Sequence, residues 1–342
     1  MAAWAAGGVP GQIRLVTKPR PTPGPDEVVV RVEACGLCRT DLHIVDHELE
    51  RHLVDVTPGH QIVGTVTALG DRVQQLREGD TVGIAWLRRT CGVCPWCRSG
   101  RENLCPESQY TGWDVDGGLA EYTTVPEAFA YVLPRTADAV ELAPLLCAGI
   151  IGYRALSRAA VPAGGILGIY GYGSSGHITA QIAQAAGTTI NAMTRGEANR
   201  DLARSIGAAF VGGAMDEPPA KLDSAIVFAP AGELVPVALG ATKRGGTVVL
   251  AGIHMSEIPA MNYDTELFNE RDLRTVTANT RADGATFLAL AHNLAIKPTV
   301  TTYSFDSVDK ALSDLRVGNA SGSIVITTLS PKTLELENEK IS

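Results

Sequence analysis

The sequence predicts an α/β protein in two parts: a doubly wound parallel sheet with helices on both faces, and a mostly β, antiparallel region. Three observations carry this reading. From about residue 140 the chain repeats apolar runs and amphipathic stretches, the texture of alternating strand and helix. Within that stretch GYGSSG, a G-x-G-x-x-G turn, follows one apolar run directly and opens a helical one. The first half, in contrast, is cut into short β-type runs by Gly, Pro and Asp.

In chain order, residues 27–33 (EVVVRVE) follow PTPGPD and read as a strand after a turn. Residues 61–69 (QIVGTVTAL) alternate loosely and end in Gly-Asp, and 80–85 (DTVGIA) begin at a second Gly-Asp turn. These are expected to be short strands of a partly barrel-like region. Residues 166–170 form the strand before the glycine turn. Residues 175–186 then form a helix with Ile178, Ile182 and Ala186 at four-residue spacing. A second strand, 189–193, is followed by a helix ending at Gly207. Residues 225–228 and 247–250 are continuous apolar runs, as suits strands buried on both faces, and 273–278 add a last strand.

From Arg281 the chain offers a helix, a turn and a final strand, 323–328, whose texture matches the first region. The expected domains are therefore 1–148 with 282–342, and 149–281 between them. The tail from Pro331 is polar and expected to be loose.

A chain of 342 residues suits two domains at ~150 residues each. With 45% hydrophobic and 19% charged residues it can build sizeable cores, which excludes a disordered or fibrous chain. The net charge of −8 argues against nucleic acid or anionic lipid as a partner. No run of ~18 apolar residues is long enough to span a membrane. Met1 to Pro10 is small and apolar but lacks the basic start of a secretory signal, so a cytoplasmic protein is expected.

Cysteine usage points to metal chemistry. There are seven, an odd number, and four fall in one stretch as Cys91, Cys94, Cys97 and Cys105. Disulfide frameworks belong to short secreted chains. The spacing C-x2-C-x2-C-x7-C lets four thiolates close a tetrahedron around one zinc at roughly 2.3 Å each, with an iron–sulfur cluster as the alternative. A closed set of four ligands is structural, because no position is left for a substrate.

The glycine turn is read as a dinucleotide-binding loop of Rossmann type. Gly171 makes the tight turn, Gly173 lets a pyrophosphate approach the backbone, and Gly176 permits close packing of helix on strand. Ser174 and Ser175 complete the loop, whose helix N-terminus meets the phosphates.

ACGLCRTDLH, PGHQIVG, the four-cysteine loop, APLLCAGI and GYGSSG occur in this order along the chain. The set resembles the zinc-dependent alcohol dehydrogenases of the medium-chain dehydrogenase/reductase superfamily, over roughly residues 10 to 328. The bacterial and yeast-like members are the most similar, since they share the WL before the cysteine loop and the CAGI run. The resemblance implies a GroES-like catalytic domain beside the Rossmann domain, with the active site in the cleft, two zinc ions per chain, and a homodimer or homotetramer.

Within that frame, Cys38, His60 and Cys147 could supply a Cys2His site whose fourth position stays open for water or substrate. Zinc lowers the pKa of bound water from about 15.7 to ~7, and a similar effect on an alcohol is worth ~12 kcal/mol of alkoxide stabilisation. Asp41 suits a hydrogen bond to the outer nitrogen of His60. The resemblance implies that Thr40 holds the substrate hydroxyl and begins a proton relay through the cofactor ribose to His43, which exchanges the proton with solvent. It also implies that Trp86 and Trp113 line and narrow the alcohol pocket, favouring unbranched primary alcohols or aldehydes. Gly252 and Ile253 are expected at the cofactor, and Arg39 at its pyrophosphate. Cys35 is expected to be a small buried residue.

About 20 residues after the glycine turn, NAD-specific relatives carry an acid that grips the ribose. Here Thr194 stands in that place and Arg195 follows. A missing carboxylate beside an arginine suits a 2′-phosphate, hence NADP(H) over NAD(H), although Arg195 could instead stack on adenine. Three positions depart from the family pattern. Gln61 replaces a Glu behind the zinc, Ile151 stands where Thr is common, and Ser323 where many relatives place a phosphate-binding Arg.

The expected function is therefore that of a zinc-dependent alcohol dehydrogenase interconverting primary alcohols and aldehydes by hydride transfer to or from NAD(P). The alternatives are an NADPH-dependent reductase of larger or aromatic aldehydes, and a non-catalytic zinc- and nucleotide-binding redox sensor.

Overall fold

A computed structural model describes residues 1–328. The chain divides into two compact units, Met1–Cys147 together with the chain from Val300 onward, and Ala148–Thr299.

In the first unit, strand Glu27–Leu37 is the centre of a seven-stranded sheet. It pairs antiparallel with Gln61–Leu69, Tyr122–Pro126 and Ser323–Thr327. Register shifts at Val29/Val30 and Val32/Ala34 mark bulges that bend the strand, and along its length it serves three partners. Val28, Val29, Val30, Val32 and Ala34 are buried, which is why this segment reads as an apolar run. Gln61–Leu69 continues the sheet to Thr81–Ile84 and then Ala130–Val132. Val300–Ser304 extends it beside Ser323–Thr327 in the one parallel pairing of this sheet among the described residues.

The second unit is a six-stranded parallel sheet in the spatial order Phe210–Gly212, Thr189–Met193, Ile166–Tyr170, Leu222–Val227, Thr242–Leu250, Asp272–Thr275. Strand order reverses between Ile166–Tyr170 and Leu222–Val227, the switch point at which such sheets bind ligands. Alternate residues feed opposite cores: Leu167, Ile169, Ile190 and Ala192 go to one face, and Tyr170, Met193, Ala225 and Val227 to the other.

The structure moves one expected boundary. Helix Arg281–Asn293 belongs to the second unit, so the chain returns to the first at Val300 and not near residue 282. Phe287 and Ala291, one turn apart, are buried, and Phe287 meets Tyr153 of helix Ala148–Ala159. Asp283 pairs with Arg154 of that same helix and closes a capping box with Thr280. Local texture did not carry this docking. Strand Asp272–Thr275 also ends earlier than expected, and Ala2–Ala6, for which no element was expected, is a strand paired with Ile13–Thr17. The tail from Pro331 lies outside the described residues. Among those described, no single helix is long and apolar enough to cross a membrane.

Candidate active site

Helix Arg39–Val45 is built around a cysteine cap. Cys38 is extended (φ −137°, ψ 179°), its Sγ accepts the Thr40 N–H at 3.3 Å, and its own N–H donates to Asp41 Oδ2 at 2.8 Å. This is a capping box with sulfur in place of a hydroxyl. The other oxygen of Asp41 accepts the Gly59 N–H at 2.9 Å, so one fully buried carboxylate joins two distant segments. Gly59 has φ +97°, and a Cβ there would lie 2.7 Å from Cys35 Sγ and 2.9 Å from Leu119 N. Only glycine fits, and it delivers His60 to the head of strand Gln61–Leu69.

His60 Nε2 lies 3.3 Å from Cys38 Sγ. Cys147, which ends the turn Ala143–Leu146, completes a group of three donor atoms within 4.8 Å of one another. The Cys147 thiol and the His60 imidazolium hold the Cys38 thiol well below its usual pKa, while that same contact and burial push Cys147 up. Burial works against a charged His60, yet the Asp41 carboxylate and Cys38 outweigh it and raise the imidazole to about 10. Asp41 Oδ1 is 3.3 Å from His60 Nδ1, close enough for an ion pair but not aligned for a hydrogen bond. Two soft sulfur donors, one imidazole and a buried carboxylate behind them favour a cation at their centre. Three donors leave one position of a tetrahedron open.

Thr40 and His43 lie three residues apart on the helix that Cys38 caps, hence on one face of it. His43 is 4% exposed, because four of its helix neighbours are buried with it. The ring is thus almost wholly enclosed by its own unit. Its Nδ1 is paired with Glu48, which the sequence reading had passed over. Arg39 is exposed on the same turn, and Cys35 is fully buried as expected.

Trp86 stands edge-on to His60, with centroids 4.8 Å apart. Trp86 and Trp113 stack at 5.9 Å, Tyr110 packs on both, and His52 covers Trp113 at 4.2 Å. Tyr110 and His52 were missed; Tyr110, three residues before Trp113, was the available signal. Gln61 is buried with no hydrogen-bond partner for its Oε1, and its side chain lies against Gly36. Ser323 is buried at the start of its strand.

The four-cysteine loop folds as a separate knuckle. Sγ–Sγ distances are 3.5 Å for Cys94–Cys97 and 4.0 Å for Cys91–Cys97. They bracket the ~3.8 Å edge of a tetrahedron with 2.3 Å metal–sulfur bonds. The Cys94 and Cys97 amides donate to the sulfurs of Cys91 and Cys94 at 3.4 and 3.5 Å, and the Cys91 amide to Cys105 at 3.4 Å. The amides of Val93 and Cys94 bring the Cys91 thiol down to about 7, which favours the thiolate a metal needs.

Two family models match the chain, "Alcohol dehydrogenase GroES-like domain" over residues 24–135 and "Zinc-binding dehydrogenase" over residues 176–293. The chain belongs to the zinc-binding alcohol dehydrogenases of the medium-chain superfamily. A Mycobacterium tuberculosis protein described as a probable alcohol dehydrogenase, AdhA, is 52% identical over 321 residues, covering 92% of this chain and 93% of that one. Among solved structures, acetophenone reductase from Geotrichum candidum in complex with NAD matches with TM-score 0.87 and 28% identity, over 96% of this chain and 97% of that one. A protein from Sinorhizobium meliloti described as a zinc-binding dehydrogenase, bound to NADP, matches with TM-score 0.86 and 28% identity, over 96% and 99%. This dehydrogenase is accordingly an oxidoreductase with a GroES-like and a Rossmann domain.

The glycine turn of the dehydrogenase packs closely on one side and is open on the other. Gly171, at φ +93°, would bring a Cβ within 2.8 Å of Ala229 N, whereas a Cβ on Gly173 would meet nothing within 4 Å. That open space lies at the N-terminus of helix Ser174–Ala185, which Ser174 and Ser175 begin. At Gly176 a Cβ would fall 2.7 Å from Gly171 O, so the helix lies as close to its strand as backbone allows. Thr194 is buried, and its hydroxyl accepts the Tyr172 N–H at 3.2 Å, which turns it onto the loop itself. Arg195 is exposed beside it. Gly252 and Ile253 line a cavity of about 290 Å³ at the end of strand Thr242–Leu250, with Leu250, Met255 and Thr275. Ile151 packs against the core on helix Ala148–Ala159.

Proposed function

We propose that this dehydrogenase interconverts primary alcohols and aldehydes with NADP(H) preferred over NAD(H), holding one zinc at Cys38, His60 and Cys147 and a second at Cys91, Cys94, Cys97 and Cys105. The observation that carries the reading is the meeting of two thiols and an imidazole in an open three-donor site, on a helix that also bears Thr40 and His43. Zinc, when bound there, supplies a Lewis acid that acidifies the alcohol hydroxyl. The nicotinamide supplies the hydride acceptor or donor. Thr40 takes the hydroxyl proton and His43, one turn along, receives it. Asp41 keeps the Cys38 and His60 segments in register through its two backbone bonds. Trp86 forms the wall next to His60 and limits the width available to the substrate.

The NADP(H) preference rests on the end of strand Thr189–Met193. No carboxylate stands there to bind a ribose 2′-hydroxyl, and Arg195 is exposed at that point. The acid that follows, Glu197, is paired with both Arg200 and Arg204, so its charge is already met, and Arg200 lies against the Thr194 carbonyl. A second reading, reduction of aromatic aldehydes with NADPH, is favoured by the aromatic cluster of His52, Trp113, Trp86 and Tyr110 that adjoins His60. We take the working form to be a cytoplasmic homodimer or homotetramer.

The test is the initial rate of butanal and benzaldehyde reduction with NADPH and with NADH, on protein of measured zinc content. Turnover with two zinc ions per chain and faster rates with NADPH is the expected result. A benzaldehyde rate above the butanal rate would favour the second reading. No turnover with both sites loaded would leave a binding protein and overturn the proposal.

A further inference from the structure

We propose that His177 is a positioning residue for the nucleotide: it locks the Gly173–Ser174 peptide with its N–H end toward the side from which a pyrophosphate approaches. This rests on the reading that NADP(H) or NAD(H) occupies the glycine turn. The difficulty it answers is one of freedom. Gly173 carries no side chain, and a Cβ there would meet nothing within 4 Å, so packing does not fix its peptide planes. Glycine loses more conformational freedom on ordering than any other residue. A loop peptide that became ordered only as the phosphate arrived would weaken binding by that amount.

His177 lies in the first turn of helix Ser174–Ala185 and is fully buried. The Gly173 carbonyl accepts two bonds from this one residue, the helical N–H at 3.1 Å and the ring Nδ1–H. A carbonyl held along the helix axis leaves the N–H of the same planar peptide, that of Ser174, pointing the opposite way, out of the helix N-terminus. The ring is braced on its other side, where Nε2 accepts the Thr299 N–H. One helical turn further, the Gln181 amide engages both backbone groups of Lys297, donating to the carbonyl at 3.0 Å and accepting the N–H at 3.1 Å. Side chains at i and i+4 of one helix thus hold a strip of backbone, 297–299, and the imidazole is fastened at both nitrogens.

Only one form of the ring satisfies both ends. A carbonyl oxygen accepts and a backbone N–H donates, so the ring is the neutral tautomer with its proton on Nδ1. The Gly173–Ser174 peptide carries charge information as well as orientation. An anion at the N–H end of a peptide polarises its C=O and strengthens the bond which that oxygen accepts. Phosphate binding and the Nδ1–H bond therefore support one another. His177 stands just outside the letters of the G-x-G-x-x-G turn, and it is the first turn of the helix that lays its ring back on Gly173.

The two nitrogens can be tested separately. His177→Asn keeps a donor at the Nδ1 position and loses the acceptor for Thr299, whereas His177→Gln keeps the acceptor and loses the donor to Gly173. Dissociation constants are read on the zinc-loaded full chain from the fluorescence of bound NADPH and NADH, and for adenosine by competition. His177→Gln should bind both reduced nucleotides about tenfold more weakly, as for one lost hydrogen bond, and His177→Asn should stay within about twofold of the wild type. Adenosine, which has no phosphate, should bind all three proteins within about twofold. An unchanged Kd in His177→Gln, equal losses in both variants, or a loss that extends to adenosine would overturn the inference. Wild-type protein labelled with 15N-histidine gives an answer without a substitution. One buried Nδ1–H resonance should move downfield when NADPH is added, and a resonance that stays in place would also overturn the inference. Wild-type protein that binds neither NADPH nor NADH would overturn the functional reading itself, and this inference with it.

Discussion

The fully buried His177 accepts the backbone N–H of Thr299 on its Nε2 at 3.0 Å, 122 residues away in sequence, and donates from Nδ1 to the Gly173 carbonyl at 2.9 Å. One neutral imidazole thus joins the glycine loop to the last residue of the second unit.

That arrangement requires the neutral ring. Burial holds His177 below its ordinary pKa. The unfolded chain would protonate it near 6.5. Its contribution to stability is therefore fully present above about pH 6.5 and is lost as pH falls through the lower folded value, with a slope of at most ~1.4 kcal/mol per pH unit. Urea midpoints measured at pH 7.5, 6.5 and 5.5 should fall with pH, and His177→Gln should show a flatter dependence. Equal slopes would mean that other groups govern acid stability.

Asp41→Asn tests the carboxylate behind the open site. The amide can keep one of the two backbone donors but must turn its own N–H2 toward the other, an uncompensated clash costing about 1–3 kcal/mol. Metal affinity should drop by roughly 10–100-fold, read by competition with a chelator. Wild-type affinity would remove Asp41 from its assigned part.

The parallel sheet was legible because strands covered on both faces read as unbroken apolar runs: strands Ile166–Tyr170 and Thr189–Met193 fall where that pattern places them. Strand Ala2–Ala6 was not legible, since AAWAA has little preference for a strand and becomes one through its partner Ile13–Thr17 and through burial of Ala3 and Ala5. The attachment of helix Arg281–Asn293 was hidden for a similar reason, because what Phe287 packs against is decided far away in sequence. At the site, spaced cysteines and histidines announce themselves, and the structure brings Cys38, His60 and Cys147 together. Glu48 does not announce itself. Its relation to His43 depends on a left-handed residue between them, and nothing in the letters H-E signals that turn.

Cys94→Ser should act on stability and leave the chemistry in place. It breaks the closed set of four, so one metal equivalent should be lost and the melting temperature should fall by several degrees. An unchanged melting curve with one zinc missing would show that the knuckle holds without its ion.

Arg195→Ala should raise KM for NADP by roughly 10–100-fold while leaving KM for NAD within about twofold, as expected for loss of one charge-assisted contact of ~1.5–3 kcal/mol. Equal effects on both nucleotides would assign Arg195 to the adenine ring.

Trp113→Ala should widen the pocket. The ratio of kcat/KM for benzaldehyde over butanal should rise by about tenfold if the indole is a steric wall. A fall in that ratio would make the ring a stacking surface for aromatic substrates.

The close spacing of sulfurs in the cysteine knuckle has a practical consequence for handling. With Cys94 and Cys97 Sγ atoms 3.5 Å apart and the Cys91 thiol near neutrality in pKa, metal stripped by a chelator in air leaves a thiolate beside ready partners. Thiolates are the form that oxidises. Disulfides formed within the knuckle would block reloading, so apo-protein prepared without reductant should recover only part of its zinc, while the same preparation kept reduced should recover all of it.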